Sequence, residues 1–267
     1  MPVTTVATCI IPDNAEQLLE DRGYFVIRNV LGQEAVQSVR TEIDRIIAVE
    51  DGFQLDRNRV DGTVRGGAAG VRAVRDRFFR SAALWEHWFT AEHVVEVQRR
   101  FVGENVRLQG TSFFAKAAGI GEPTPWHQDI WLWARDPVDP TRRYKLRHGS
   151  CWIALEPVDL SNGCLRLVPG SHKGAIVEHV QYDDSVHPEI PRELAGGAAA
   201  VAVPLDTGDA VFWHPKMWHM SPPNTSDRTR WGGVIVSIPD NMAEGAGQTD
   251  RPYLLKDGKV CARPQLG

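Results

Sequence analysis

Val106-Arg107-Leu108-Gln109-Gly110-Thr111-Ser112-Phe113-Phe114-Ala115-Lys116 opens the series of short strand-like runs that decides the fold of this chain. It is followed by Ile130 to Trp133, Ser150 to Leu155, Leu165 to Pro169, Ala199 to Pro204, Ala210 to Trp213 and Trp231 to Ile238, with Gly, Pro or Asn between successive runs. Many short β-forming segments separated by turn residues argue for an antiparallel sandwich or jelly roll. Upstream, Asp13 to Leu19 is helix-like and Tyr24 to Leu31 reads as a strand after Gly23. Val36, Val39, Ile43, Ile46 and Ile47 then recur at three- and four-residue spacings, which sets one apolar stripe along a helix. A further helical stretch is expected around Phe78 to Phe101, so the class is mainly β with flanking helices.

The 267 residues suit one domain spanning 1–267, since β-sandwiches and barrels of this size stay undivided. Residues 51–80 read as a mobile loop. Between Arg57 and Arg80 they hold seven arginines against Asp61 and Asp76, a charge that suits a solvated surface or, alternatively, a lid over an anionic or polar substrate. The tail, residues 241–267, with Gly245, Gly247 and Pro252, is expected to be an irregular surface wrap.

A net charge of -4 gives no electrostatic reason to expect nucleic acid or an anionic membrane as partner. Cys9, Cys151, Cys164 and Cys261 form no CxxC pair, which argues against a zinc ribbon or a disulfide framework and suits a reduced cytoplasm. The opening residues lack a basic n-region, and no later run approaches the roughly 18 to 20 apolar residues of a spanning helix. A cytoplasmic protein acting on a small-molecule substrate is the expectation.

Chemistry concentrates in two segments, Trp126-His127-Gln128-Asp129 and Trp218-His219-Met220-Ser221, with Arg230 eleven positions beyond His219. If His127 and Asp129 lie on a strand, the two-residue period puts both on one face, within reach of a single cation. His219, from a distant strand, would be the third ligand. Two histidines and one carboxylate leave open positions on an octahedral ion, the pattern of a non-haem Fe(II) oxygenase rather than of a closed structural site. Arg230 offers a permanently charged planar fork for a carboxylate, with Arg228 as its rival. Ser221, two residues after His219, can donate to the same anion.

With Asn162-Gly163-Cys164-Leu165 running to Pro169-Gly170-Ser171-His172, Gly208-Asp209 before a strand, and His219-Met220-Ser221-Pro222-Pro223-Asn224, the chain resembles the phytanoyl-CoA dioxygenase family of Fe(II)- and 2-oxoglutarate-dependent oxygenases from about residue 17 to 240. The resemblance implies a double-stranded β-helix, the cupin-like jelly roll. It implies His127, Asp129 and His219 as iron ligands and Arg230 as the anchor of 2-oxoglutarate, with Lys116 and Trp152 as looser cosubstrate contacts. Turnover would consume O2 and 2-oxoglutarate, release succinate and CO2, and hydroxylate or otherwise oxidise a metabolite, most plausibly in secondary metabolism. Related halogenases lack the carboxylate, so Asp129 favours hydroxylation, desaturation or ring closure.

The same triad would also serve a zinc hydrolase, and a non-catalytic cupin-like binding protein is the third reading. The hydrolase leaves Arg230 and Ser221 without a task, and the binding protein predicts a damaged triad. Asn224 suits a turn cap, and His172 and His214 suit backbone satisfaction. His87, His93, His148, His179 and His187 are expected at the surface. Trp131 and Trp133 are candidates for the substrate mouth.

Overall fold

The computed structural model describes residues 8–49, 54–57, 59–60, 63–64, 71–76, 79–119, 121–133, 149–185, 187–245 and 250–265. Helix α1 (Ala15–Arg22) stops at Gly23, whose φ of 83° is left-handed and whose N–H closes on the carbonyls of Leu18 and Leu19. A side chain there would also strike the ring of His172, its Cβ falling 2.4 Å from Nδ1, so both conformation and packing require glycine. Strand β1 (Tyr24–Ile27) follows, and α2 (Gln33–Val49) buries the stripe Val36, Val39, Ile43, Ile46 and Ile47.

Next come β2 (Gln54–Arg57), β3 (Arg59–Val60), β4 (Thr63–Val64) and β5 (Val71–Asp76). Helix α3 (Ala82–Leu84) starts where Ser81 Oγ accepts from the Leu84 N–H at 3.1 Å. It runs into one π-helical turn, Trp85–Phe89, before α4 (Glu92–Phe101). The β-rich region holds β6 (Val106–Lys116), β7 (Thr124–His127), the short helix α5 (Asp129–Trp133), β8 (Gly149–Ala154) and β9 (Leu165–Leu167). It continues with α6 (Arg192–Ala195), β10 (Val201–Val203), β11 (Ala210–Trp213), β12 (His219–Ser221) and β13 (Arg230–Pro239). Helix α7 (Asp240–Gly245), β14 (Tyr253–Lys256) and β15 (Lys259–Val260) complete the described chain.

The larger sheet runs β1-β11-β8-β13-β6-β14-β15, with β5 also on β6 and β2 on β5. The smaller runs β10-β9-β12-β7, and the pairings in both are antiparallel. Alternation along β8 and β11 explains the layering. Cys151, Ile153, Ala210 and Phe212 join the core shared with the helices, whereas Trp152, Ala154, Val211 and Trp213 join a second core with Leu165 and Leu167 of β9. Strands buried on both faces read as continuous apolar runs, as Ala210-Val211-Phe212-Trp213 does. The expected jelly roll with flanking helices is the observed architecture.

Three sequence expectations are corrected. Ile130 to Trp133 lies within a helix, not a strand. Residues 51–80 are not simply a loop: β2 and β5 form a hairpin that extends the larger sheet at β6. Val71, Ala73 and Val74 supply strand-forming positions inside a stretch whose arginines and glycines drew attention elsewhere. Most of the remaining positions in 51–80 lie outside the described residues, the lid reading with them. The tail is not irregular, because β14 pairs with β6 and fully buries Leu254 and Leu255.

Candidate metal centre and anion pocket

His127 ends β7 and His219 begins β12, and the register of the two strands sets them opposite each other. Their rings lie 4.0 Å apart between centroids. Asp129 arrives differently from the sequence expectation. It does not share a strand face with His127 but starts α5, after Gln128 turns the chain. That turn is fixed by Gln128, whose amide reaches the carbonyls of Lys216 at 2.8 Å and Ala175 at 3.3 Å while its oxygen accepts from Val177 N at 2.8 Å. The result brings Asp129 Oδ1 to 3.6 Å from His127 Nε2 and 3.5 Å from His219 Nε2. One ligand atom from each of the three buried residues lies within 4.8 Å of the others.

The hydrogen bonds select the atoms that remain for a metal. Nδ1 of His127 is 2.8 Å from the Pro125 carbonyl and Nδ1 of His219 is 3.0 Å from that of Met217. A carbonyl only accepts, so each Nδ1 carries the proton and each Nε2 keeps its lone pair. Burial, reinforced by His219 and His187, holds the His127 imidazole well below the usual histidine range and therefore neutral. Asp129 Oδ2 accepts from Ser150 Oγ at 2.7 Å and from the Trp213 indole at 3.0 Å, which leaves Oδ1 for the ion. Two imidazoles and one carboxylate side chain, each oriented from behind, fit an octahedral divalent cation with open positions.

These ligands border a cavity of about 310 Å³ between the sheets. Arg230, Lys116, Trp152 and Ser221 all line it, as the sequence reading grouped them. Arg230 is 2% exposed. Its Nη2 donates to the Gly163 carbonyl at 2.5 Å and approaches Ser221 Oγ at 3.3 Å, its guanidinium lies 5.0 Å from the centre of the Trp152 ring, and its Nε has no hydrogen-bond partner. Burial pushes its pKa down to about 10. Among the described residues no carboxylate forms an ion pair with it. Arg228, the rival, is exposed and pairs with Asp159 at 3.2 Å. Ser221 Oγ donates to the Gly163 carbonyl at 2.8 Å. Lys116 Nζ donates to the carbonyl of Glu122 and lies 3.4 Å from that of Ser221.

Asn224 caps the turn after β12, donating to the carbonyls of Lys116 and Arg228 and accepting from Ser226. His172 Nε2 donates to the Glu20 carbonyl at 3.0 Å, and His214 Nδ1 accepts from Lys216 N, so both satisfy backbone as expected. Two histidines expected at the surface are not there. His179 is buried, accepts from Gln128 N at 3.0 Å and stacks on Trp131, centroids 4.5 Å apart. His187 lines the cavity with its ring edge-on to His127 at 4.8 Å. The fold brings both back to the β7–α5 segment. Trp131 is 4% exposed and buried by that stack. His148 and the Trp133 side chain lie outside the described residues. Ser150 and Trp213 were not foreseen as supports for Asp129.

Two facing antiparallel sheets that hold an open two-histidine, one-carboxylate cluster beside a buried arginine define a jelly-roll protein with a candidate metal centre between its sheets. The chain belongs to the phytanoyl-CoA dioxygenase (PhyH) family, whose model matches residues 19–232. The peroxisomal phytanoyl-CoA dioxygenase of Rattus norvegicus is 27% identical over 237 residues, a match that covers 79% of this chain and 63% of the rat protein. The chain thus spans less than two thirds of that relative's length. The 1-deoxypentalenic acid 11-beta-hydroxylase of Streptomyces arenae is 26% identical over 227 residues, covering 79% and 74%. Among solved structures, the epimerase SnoN in complex with Fe3+, alpha ketoglutarate and nogalamycin RO superposes with a TM-score of 0.62 at 21% identity, over 85% of this chain and 83% of that one. No helix among the described residues is long and apolar enough to cross a membrane.

Proposed function

We propose that this chain is an Fe(II)- and 2-oxoglutarate-dependent oxygenase that hydroxylates or otherwise oxidises a small metabolite in the cytoplasm, within secondary metabolism. For hydroxylation, one O2, one 2-oxoglutarate and one substrate C–H give succinate, CO2 and a C–OH. The observation that carries the reading is Arg230: a buried guanidinium with an unsatisfied Nε and, among the described residues, no ion-paired carboxylate, in the same cavity as the triad, calls for an anionic ligand. The Fe3+ and alpha ketoglutarate in complex with one structural relative are consistent with that ligand's identity.

His127, Asp129 and His219 would hold Fe(II), which when bound couples O2 reduction to keto-acid decarboxylation and C–H oxidation. Arg230 would take the distal carboxylate of 2-oxoglutarate, with the Trp152 ring against its guanidinium and Lys116 and Ser221 beside it. Asp129 would take the coordination position that a halide needs, which favours oxidation over halogenation. The two sheets exclude bulk water from the reacting carbon. A zinc hydrolase leaves Arg230 and Ser221 without a task, and a passive binding protein predicts a damaged triad or no anchor arginine, whereas both are present. One domain over 1–267 belongs to the same proposal.

Anaerobic titration of metal-free protein with Fe(II) and then 2-oxoglutarate tests it. A saturable visible charge-transfer band, absent in His219→Ala and shifted to higher keto-acid concentration in Arg230→Gln, is expected. Folded protein that binds zinc but gives no band would move the reading to hydrolysis.

A further inference from the structure

The cavity contains a second arginine that the oxygenase reading does not use. Arg75 sits on β5, directly opposite Ser112 of β6. Ser112 in turn faces Val234 of β13, and Val234 faces Trp152 of β8. Residues opposite one another on paired strands project from the same face, and all four line the cavity. At about 4.8 Å per strand, this row carries Arg75 roughly 14 Å from Trp152 in backbone position. The cosubstrate anchor and the triad's support at Ser150 therefore lie toward one end of the row, and Arg75 toward the other.

Arg75 Nη1 donates to Ser112 Oγ at 3.2 Å, and its guanidinium lies 6.0 Å from the centre of the Phe114 ring. Ser112 Oγ accepts that bond and keeps its own proton to donate. Between this pair and the triad the lining turns apolar, with Phe114, Val234, Val236 and Trp213.

We propose that Arg75 and Ser112 form the carboxylate-recognition site for the organic substrate, which is therefore a small carboxylic acid with an apolar body. This rests on the oxygenase reading of the site. The planar fork of Arg75 suits two carboxylate oxygens, the Ser112 hydroxyl supplies a further donor, and the apolar stretch beyond them carries the substrate's carbon skeleton toward the triad.

The test is calorimetric binding of octanoate, cyclohexylacetate and 3-phenylpropionate, each against its primary amide, with octyl phosphate as a further arm. The full chain is loaded with Mn(II) under anaerobic conditions, with and without 2-oxoglutarate. At least one carboxylate should bind about tenfold or more tightly than its amide. That preference should vanish in Arg75→Gln, weaken in Arg75→Lys and Ser112→Ala, and survive in Arg230→Gln. Equal binding of every acid and amide, or a preference retained in a folded Arg75→Gln, would overturn the proposal. Tighter binding of octyl phosphate would overturn the carboxylate assignment. A preference lost in Arg230→Gln instead would show that the probes occupy the cosubstrate anchor, which also counts against Arg75. Affinity for 2-oxoglutarate is measured in the same samples. Its absence in the wild type would sink the oxygenase reading while the acid-to-amide ratio still reports on Arg75.

Discussion

At Asp129 one carboxylate oxygen is held by Ser150 and Trp213 and the other faces two imidazoles, so the ligand's direction is set before any ion arrives. Removing one of these supports typically costs 10- to 100-fold in metal affinity. Ser150→Ala and Trp213→Phe should each weaken Mn(II) binding by about that factor, measured by competition with a chelator, with the circular dichroism spectrum unchanged. An unaltered affinity would mean that Asp129 is oriented by α5 alone. At Arg230, replacement by Gln should weaken 2-oxoglutarate by about 10- to 100-fold, whereas exposed Arg228→Gln should change little. That His127, Asp129 and His219 come together was legible in the sequence, although for Asp129 the reason was wrong: His-x-Asp reads as two residues on one strand face, and only the Gln128 turn shows how a helix start serves the same end. His187 was illegible as a cavity residue because the chain returns to the triad from sixty residues away.

Individual elements were most legible where both faces or one long stripe were apolar. The stripe of α2 and the runs of β6, β8, β11 and β13 announced themselves, whereas β7 and β12 are short, carry the site and have little periodicity to read. Strand β5 was hidden by its arginines, and β14 by flanking turn residues. The junction of β1 and β11 shows what a short motif can fix. Asp209 accepts from Arg28 Nη1 at 2.5 Å, Asn29 N at 2.9 Å and Asp206 N at 3.0 Å while 2% exposed. Asp209→Ala strands two backbone donors and should cost about 2–4 kcal/mol in urea unfolding. Glu156 acts oppositely at the β8–β13 edge. It accepts from Trp231 N at 2.9 Å, yet burial, outweighing that bond and the neighbouring Arg40 and Arg230, raises its pKa. An acid with a raised folded pKa adds stability below its unfolded value of about 4.3 and loses that contribution as pH rises through the folded pKa. Glu156→Gln keeps the acceptor and removes the ionisation. Its thermal midpoint relative to wild type should therefore climb between acid and neutral pH, and a difference independent of pH would refute the assignment.

Across the whole molecule, the two cores divide stability from binding. The helix-side core and the tail strands carry most of the buried apolar bulk, while the space between the sheets is lined by polar groups that include the triad, Lys116, Ser221 and Arg230. Arg230 is the extreme case, a desolvated charge with an unsatisfied Nε. Ligands that bind only the folded state stabilise it by mass action, about 2.7 kcal/mol at a hundred times the dissociation constant. For a chain of this length that is roughly 5–10 °C in thermal midpoint. Mn(II) should raise the midpoint first and 2-oxoglutarate should raise it again. In Arg230→Gln the metal increment should persist and the keto-acid increment should shrink. The ligand-free midpoint should not fall, because the substitution removes an uncompensated buried charge. A large fall in that midpoint would instead make Arg230 a strut between Gly163 and Ser221, whose charge the fold needs even without an anion.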